Sequence, residues 1–156
     1  MPAGTRGEAT VQVQAPPEKV YELVSDVTRM GEWSPECVRS EWVEGATGPA
    51  VGAKFKGWNK RGIMRWSTVS EVVAADAGKE FAFRRPGPLE TIWRYRMQPI
   101  GGGTELNESF ELVRPMGAAG AFLSRLLMGV KDRRSDMEEG MRTTLERIKS
   151  AAESST

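Results

Sequence analysis

The sequence predicts an α+β fold: a curved seven-stranded antiparallel sheet wrapped around a long C-terminal helix, with two short helices after the first strand. Three observations predict it. Seven short segments alternate apolar and polar residues, the signature of half-buried strands. The last six are joined by short turns, whereas a parallel pair needs a crossover of roughly a dozen residues. A helical pattern from about Ala118 to Ala152 then closes the chain.

In order, residues 1–7 are small and polar and are expected to form a flexible tail, as are residues 153–156. Residues 8–152 make one domain, a length that can bury a real core. Glu8 to Ala15 place Ala9, Val11 and Val13 on one face, and Pro16-Pro17 end that strand. Proline suits the first turn of a helix, and Val20, Leu23, Val24 and Val27 follow at helical spacing, so Pro17 to Ser25 is the first short helix. Asp26 or Thr28 can cap a second through Trp33, and Ser34-Pro35 stops it.

The remaining strands are expected near 36–44, 52–60, 63–74, 79–85, 89–98 and 103–113. Alternation puts Phe55, Gly57 and Asn59 on one face, and likewise Met64, Trp66, Thr68, Ser70 and Val72. Phe81, Phe83 and Arg85 form another inward set, as do Trp93, Tyr95 and Met97. On the last strand Leu106, Glu108, Phe110 and Leu112 point in. The strand at 36–44 is ambiguous: Val38, Ser40 and Trp42 compete with Cys37, Arg39 and Val43.

On the final helix, Leu123, Leu126, Val130, Met137, Met141, Thr144, Leu145 and Ile148 share one stripe, interrupted by Arg134. Gly129 is a point where that helix can bend or break.

Composition narrows the chemistry. A net charge of +1 gives no basic field, so nucleic acid is not expected as a partner. There is no histidine, which removes the commonest metal ligand and the usual neutral-pH base. No metal and no cofactor are expected. Cys37 is the single cysteine, and no apolar run approaches the ~20 residues of a membrane span. With no secretory start visible, the expectation is a cytoplasmic protein without integral membrane association, monomeric or homodimeric.

Four stretches, WSPECVRSEWVEG, VGAKFKGWNKRG, RWSTVSEVV and GGGTELNESFEL, together with the element order, resemble the START-like, helix-grip superfamily. Within it they resemble the bacterial polyketide cyclase/dehydrase and lipid-transport (SRPBCC) family. The resemblance covers about Glu8 to Ala152. It implies a hydrophobic ligand, lipid or polyketide-like, held between the sheet and the last helix. The alternative it implies is a cyclase or dehydratase acting in the same cavity.

The candidate ligand-binding residues follow from the inward faces. Trp66, Phe81, Phe83, Trp93, Tyr95, Phe55 and Phe110 either wall a cavity or fill a core. Trp33 stands at the cavity mouth or anchors the helical turn. Asn59 and Ser70 are polar inward positions, and Met137 and Met141 face them from the helix. Glu108 is the sharpest case, because an ionised carboxylate in an apolar interior must pair, meet water or take a proton. Pairing with Arg134 or Arg85 would make it structural; otherwise it is a polar hook or, with Tyr95, a proton-transfer group. Glu36 and Arg39 are further inward polar candidates, but surface ion pairs are the favoured reading for both.

Overall fold

The computed structural model describes residues 1–154 of the chain. The strands are β1 (Arg6–Val13), β2 (Cys37–Val43), β3 (Lys54–Arg61), β4 (Met64–Asp76), β5 (Glu80–Arg85), β6 (Glu90–Ile100) and β7 (Gly103–Arg114). They form one antiparallel sheet in the order β1-β7-β6-β5-β4-β3-β2. Helices α1 (Pro17–Ser25) and α2 (Met30–Trp33) follow β1, and α3 (Ala118–Met128) and α4 (Arg133–Ser154) follow β7. This is the helix-grip architecture expected from the sequence.

From β2 to β7 each strand pairs with the next, and β1 lies beside β7. Register irregularities between Cys37 and Arg39, Val72 and Ala74, and Glu90 and Thr91 curl the sheet, because an extra residue bends the strand that carries it. The first of these resolves the ambiguity in β2. Cys37 points inward, the irregularity absorbs Val38 and Arg39, and Ser40 is again buried. Neither alternating set was right on its own.

Two termini differ from expectation. The N-terminal tail is shorter, since β1 begins at Arg6. Before it, the Gly4 N–H donates to Leu112 O, and the Leu112 N–H donates to Thr5 O, each at 2.8 Å. Gly7 is buried in β1 because the strand passes directly over the Phe110 ring. At the other end α4 runs through Ser154, and the rest of the tail expected over 153–156 lies outside the described residues.

The long helix is two helices. Gly129, at φ 73°, ends α3, and its N–H bonds Arg125 O and Leu126 O. The stripe drawn through one continuous helix therefore fails ahead of the break: Leu123 and Leu126 are exposed, as is Phe122. Beyond the break it holds, with Met137, Met141, Thr144, Leu145 and Ile148 all buried. The β3–β4 turn is pressed against the end of α3. A Cβ on Gly62 would lie 2.6 Å from Leu127 O and from Met128 O.

The core is unevenly distributed. Val20, Leu23, Val24 and Val27 pack with Leu145, Ile148 and Ala152 of α4 over Val13, Val72, Phe81, Met97 and Leu106. That end is dry and filled. Toward the start of α4 only Phe110, Met137 and Met141 form a small second cluster. The space at this end holds the candidate site.

Gly7→Ala should destabilise the protein by about 1–3 kcal/mol through overpacking, since its Cβ would meet the Phe110 ring at 2.5 Å. Gly48→Ala, with nothing within 4 Å, should stay within about 0.5 kcal/mol of the parent. Urea unfolding of both variants checks that the N-terminal segment belongs to the sheet.

Candidate functional site

Two chambers adjoin beneath the start of α4. The inner one, about 290 Å³, is lined from the sheet by Phe55, Gly57, Asn59, Ser70, Phe83, Tyr95 and Glu108, and from α4 by Met137, Gly140, Met141 and Thr144. The outer one, about 590 Å³, lies between β4, β6 and α3 and is lined by Met64, Trp66, Leu89, Met116 and Met128. Thr68, Arg85, Trp93 and Met137 belong to both walls, so the two meet there.

Strand alternation positions the inner wall. Trp42, Phe55 and Phe83 stack edge to face in a row, with centroids 5.8 and 5.1 Å apart. Trp93 satisfies its indole N–H within its own strand by donating to Thr91 Oγ1 at 3.0 Å. Tyr95 and Glu108 are register partners on β6 and β7, which brings hydroxyl and carboxyl within hydrogen-bonding reach.

Glu108 is 4% exposed and has no ion-pair partner among the described residues. Its Oε1 lacks any hydrogen bond. Burial pushes its carboxyl up from 4.5 to about 8, and the Tyr95 hydroxyl only partly opposes this. Burial, reinforced by Glu108, likewise drives the Tyr95 hydroxyl well above its ordinary value. Both groups therefore carry their protons at neutral pH. The expected structural pairing of Glu108 with Arg134 or Arg85 is not formed.

The cavity mouth is held by ions. Arg133 reaches Glu36 at 2.7 Å and Asp136 at 2.7 Å, and Asp136 also pairs with Arg61 of β3. Burial would raise the Asp136 carboxyl, but the Arg61 hydrogen bond and the Arg133 charge outweigh it and hold it below the usual range. Arg85 stands apart. Its guanidinium lies 5.8 Å from the centre of the Trp66 ring and has no carboxylate within 4 Å among the described residues. Burial depresses its pKa, with Glu36 opposing and Arg133 adding to the effect. Burial also raises the Cys37 thiol, which stays protonated as a structural group.

Of the ligand-binding candidates, Phe55, Asn59, Ser70, Phe83, Trp93, Tyr95, Glu108, Met137 and Met141 line the inner chamber, and Trp66 lines the outer one. Four do not reach either wall. Phe81 is fully buried in the dry core. Phe110 is covered by Gly7, Met137 and Met141. Trp33 is 3% exposed and anchors the helical turn, with Arg29 over its ring and Arg147 on its carbonyl. Arg134 lies at the surface, donating to Arg6 O at 3.0 Å beside Glu138.

The helical wheel misplaced Arg134 because it gives an angle about the axis, not how far the sheet extends below. At the first turn of α4 the sheet ends at Arg6, and Arg133 is the arginine that turns inward. Arg39 faces out, paired with Glu41 and lying over Trp58. Sequence reading did not find Arg61, Arg133 and Asp136. Arg133 and Asp136 sit in a run of mixed charge, and Arg61 ends a strand beside a turn glycine, so nothing in the sequence links the three. Among the described residues no cluster of acidic or sulfur ligands could hold a metal, and no helix is long and apolar enough to cross a membrane.

A family profile described as polyketide cyclase / dehydrase and lipid transport matches residues 5–153. The chain belongs to that family. No protein of curated function matches its sequence. Among solved structures, the polyketide-cyclase-like protein Cgl2372 of Corynebacterium glutamicum is 33% identical, with 92% of this chain and 91% of that one covered and a TM-score of 0.57. A START superfamily protein of Mycobacterium smegmatis shares 16% identity, covering 98% and 100% of the two chains, at a TM-score of 0.72. The di-domain ARO/CYC protein StfQ of the steffimycin biosynthetic pathway aligns at a TM-score of 0.75 and 17% identity over 96% of this chain and 50% of that one. The latter two share this family's fold.

Glu108 makes stability pH-dependent in a defined direction. The folded protein keeps this proton to about pH 8, whereas an ordinary carboxyl loses it near 4.5, so the folded state binds more protons in between. This contribution is fully present below that lower value and is lost as pH rises toward the upper one, by at most about 1.4 kcal/mol per pH unit. Glu108→Gln should remove that slope. Denaturant unfolding of both proteins across this window checks it: the variant should gain on the parent as pH rises, by roughly 1–3 kcal/mol in total.

Proposed function

We propose that the protein binds a small hydrophobic or amphiphilic molecule, lipid or polyketide-like, in the paired chambers beneath α4. The observation that carries this reading is the adjoining inner and outer spaces of about 290 and 590 Å³, walled by Phe55, Phe83, Trp93 and Trp66. Ligand sites are typically apolar hollows of this size with a few fixed polar groups. Here the polar groups are Asn59, Ser70, Tyr95 and Glu108, and a protonated Glu108 can both donate and accept. The reading places the protein in the cytoplasm, as a monomer or homodimer, with its one cysteine free.

One observation favours a second reading, a cyclase or dehydratase. A carboxyl with a pKa of about 8 sits near the value a general acid needs at neutral pH, and it faces the chamber beside Tyr95. Incubation with polyketide-like thioesters tests this. Turnover by the parent that falls about a hundredfold in Glu108→Gln supports it.

Binding itself is tested by filling the space. Gly57 lines the inner chamber, and a Cβ there meets only Cys37 Sγ at 4.0 Å, so Gly57→Leu should fold while occupying the hollow. Thr68→Phe should narrow the junction. Each variant should weaken a neutral fluorescent probe, N-phenylnaphthylamine, by about tenfold with its thermal transition retained. Unchanged affinity in both would sink the reading. Native mass spectrometry of gently purified protein identifies any retained molecule.

A further inference from the structure

The outer chamber is not electrically neutral. Three arginines line it, Arg85, Arg125 and Arg133, against one carboxylate, Asp132. Arg133 is committed to Glu36 and Asp136. Asp132 is committed to the start of α4, where it accepts the Arg134 N–H at 3.2 Å and the Ser135 hydroxyl at 2.7 Å. Arg85 and Arg125 have no carboxylate within 4 Å among the described residues. Of these two, Arg85 is the one shared by both chambers, with its guanidinium near the Trp66 face.

An unpaired guanidinium half out of water is costly to maintain for stability alone, and the arginines on either side of it, Arg61 and Arg133, are both paired. Its planar fork matches a carboxylate with two parallel hydrogen bonds. The neighbouring surfaces decide what accompanies that carboxylate. Met64, Trp66, Leu89, Met116 and Met128 offer an apolar slot on one side. On the other, the inner wall carries Glu36 and Asp136, whose charges are matched by Arg133 and Arg61, an exposed Glu139, and the buried Glu108, whose charged form burial disfavours.

We propose that Arg85 is the recognition site for an acidic amphiphile, a molecule with an apolar chain or ring system ending in one carboxylate. The apolar body lies in the outer chamber along Trp66 and Met128, and the carboxylate is received at the junction. This rests on the chambers being a ligand site, and it adds the charge class of the ligand and the residue that selects it.

A matched pair of probes tests the proposal: dodecanoate and dodecan-1-ol, which share a chain and differ in the head group. Each is titrated by calorimetry into the parent, Arg85→Gln and Arg142→Gln. Arg142 is exposed on α4 outside both chambers, so its variant controls for the lost net charge. The expected result is dodecanoate binding the parent about tenfold or more tighter than the alcohol. Arg85→Gln should lose that preference, and Arg142→Gln should keep it. Because Arg85 has no carboxylate partner to orphan, its variant should keep the parent's thermal transition. Alcohol binding equal to dodecanoate in the parent, or full dodecanoate affinity in Arg85→Gln, overturns the assignment of Arg85 while leaving the chambers a ligand site. Binding of neither probe removes the chamber reading, and this assignment with it.

Discussion

The first turns of α4 contain few apolar residues, yet they lie across the sheet rather than drifting into solvent. Beside the packing of Met137 and Met141 on Phe110 and the bond from Arg134 to Arg6 O, they are held there by the four-residue network of Arg133, Glu36, Asp136 and Arg61. It ties the helix to the start of β2 and the end of β3. Such partly buried pairs add little net stability compared with an apolar core, because desolvation offsets their attraction. Breaking one side, however, strands a charge, at a cost of about 3–5 kcal/mol for a buried pair. The network therefore fixes position more than it adds stability.

That arrangement divides the molecule. At the α1 end the sheet and α4 close on a dry core around Val20, Phe81, Leu106, Leu145 and Ile148. This end supplies the hydrophobic stabilisation, which scales with apolar area removed from water. At the other end the helix is propped by ions and lined with methionines, whose flexible side chains adapt to irregular space. Glu108 can persist there because its neighbourhood neutralises it by protonation instead of by pairing.

Much of this was legible in the sequence, and the reasons are specific. Alternation is a period-two signal tied directly to the side of the sheet, so the inward assignment of Phe55, Asn59, Ser70, Phe83, Tyr95 and Glu108 needed no tertiary information. The misreadings share a different origin. Burial and cavity lining look identical in a strand pattern, so Phe81 and Phe110 could not be separated from Phe83 and Trp93. The wheel for the last helix assumed one axis, and Gly129 gave it two; Leu123 and Leu126 therefore fell out of phase with Met137. Arg133 and Arg134 are adjacent and chemically alike, and only the extent of the sheet below them decides which one is drawn in.

The same limit explains why Arg85 gained importance only in three dimensions. In sequence it is one of two consecutive arginines at a strand end, where a charge is ordinary. Arg84 behaves that way, pairing outward with Glu90 at 3.2 Å. Arg85 is one residue further along a pleated strand and so points to the opposite face. There the carboxylate whose charge reaches it, Glu36, is already held by Arg133. The network at the start of α4 thus also engages the carboxylate that would otherwise have paired with Arg85. An unpaired positive group between the two chambers follows from that competition.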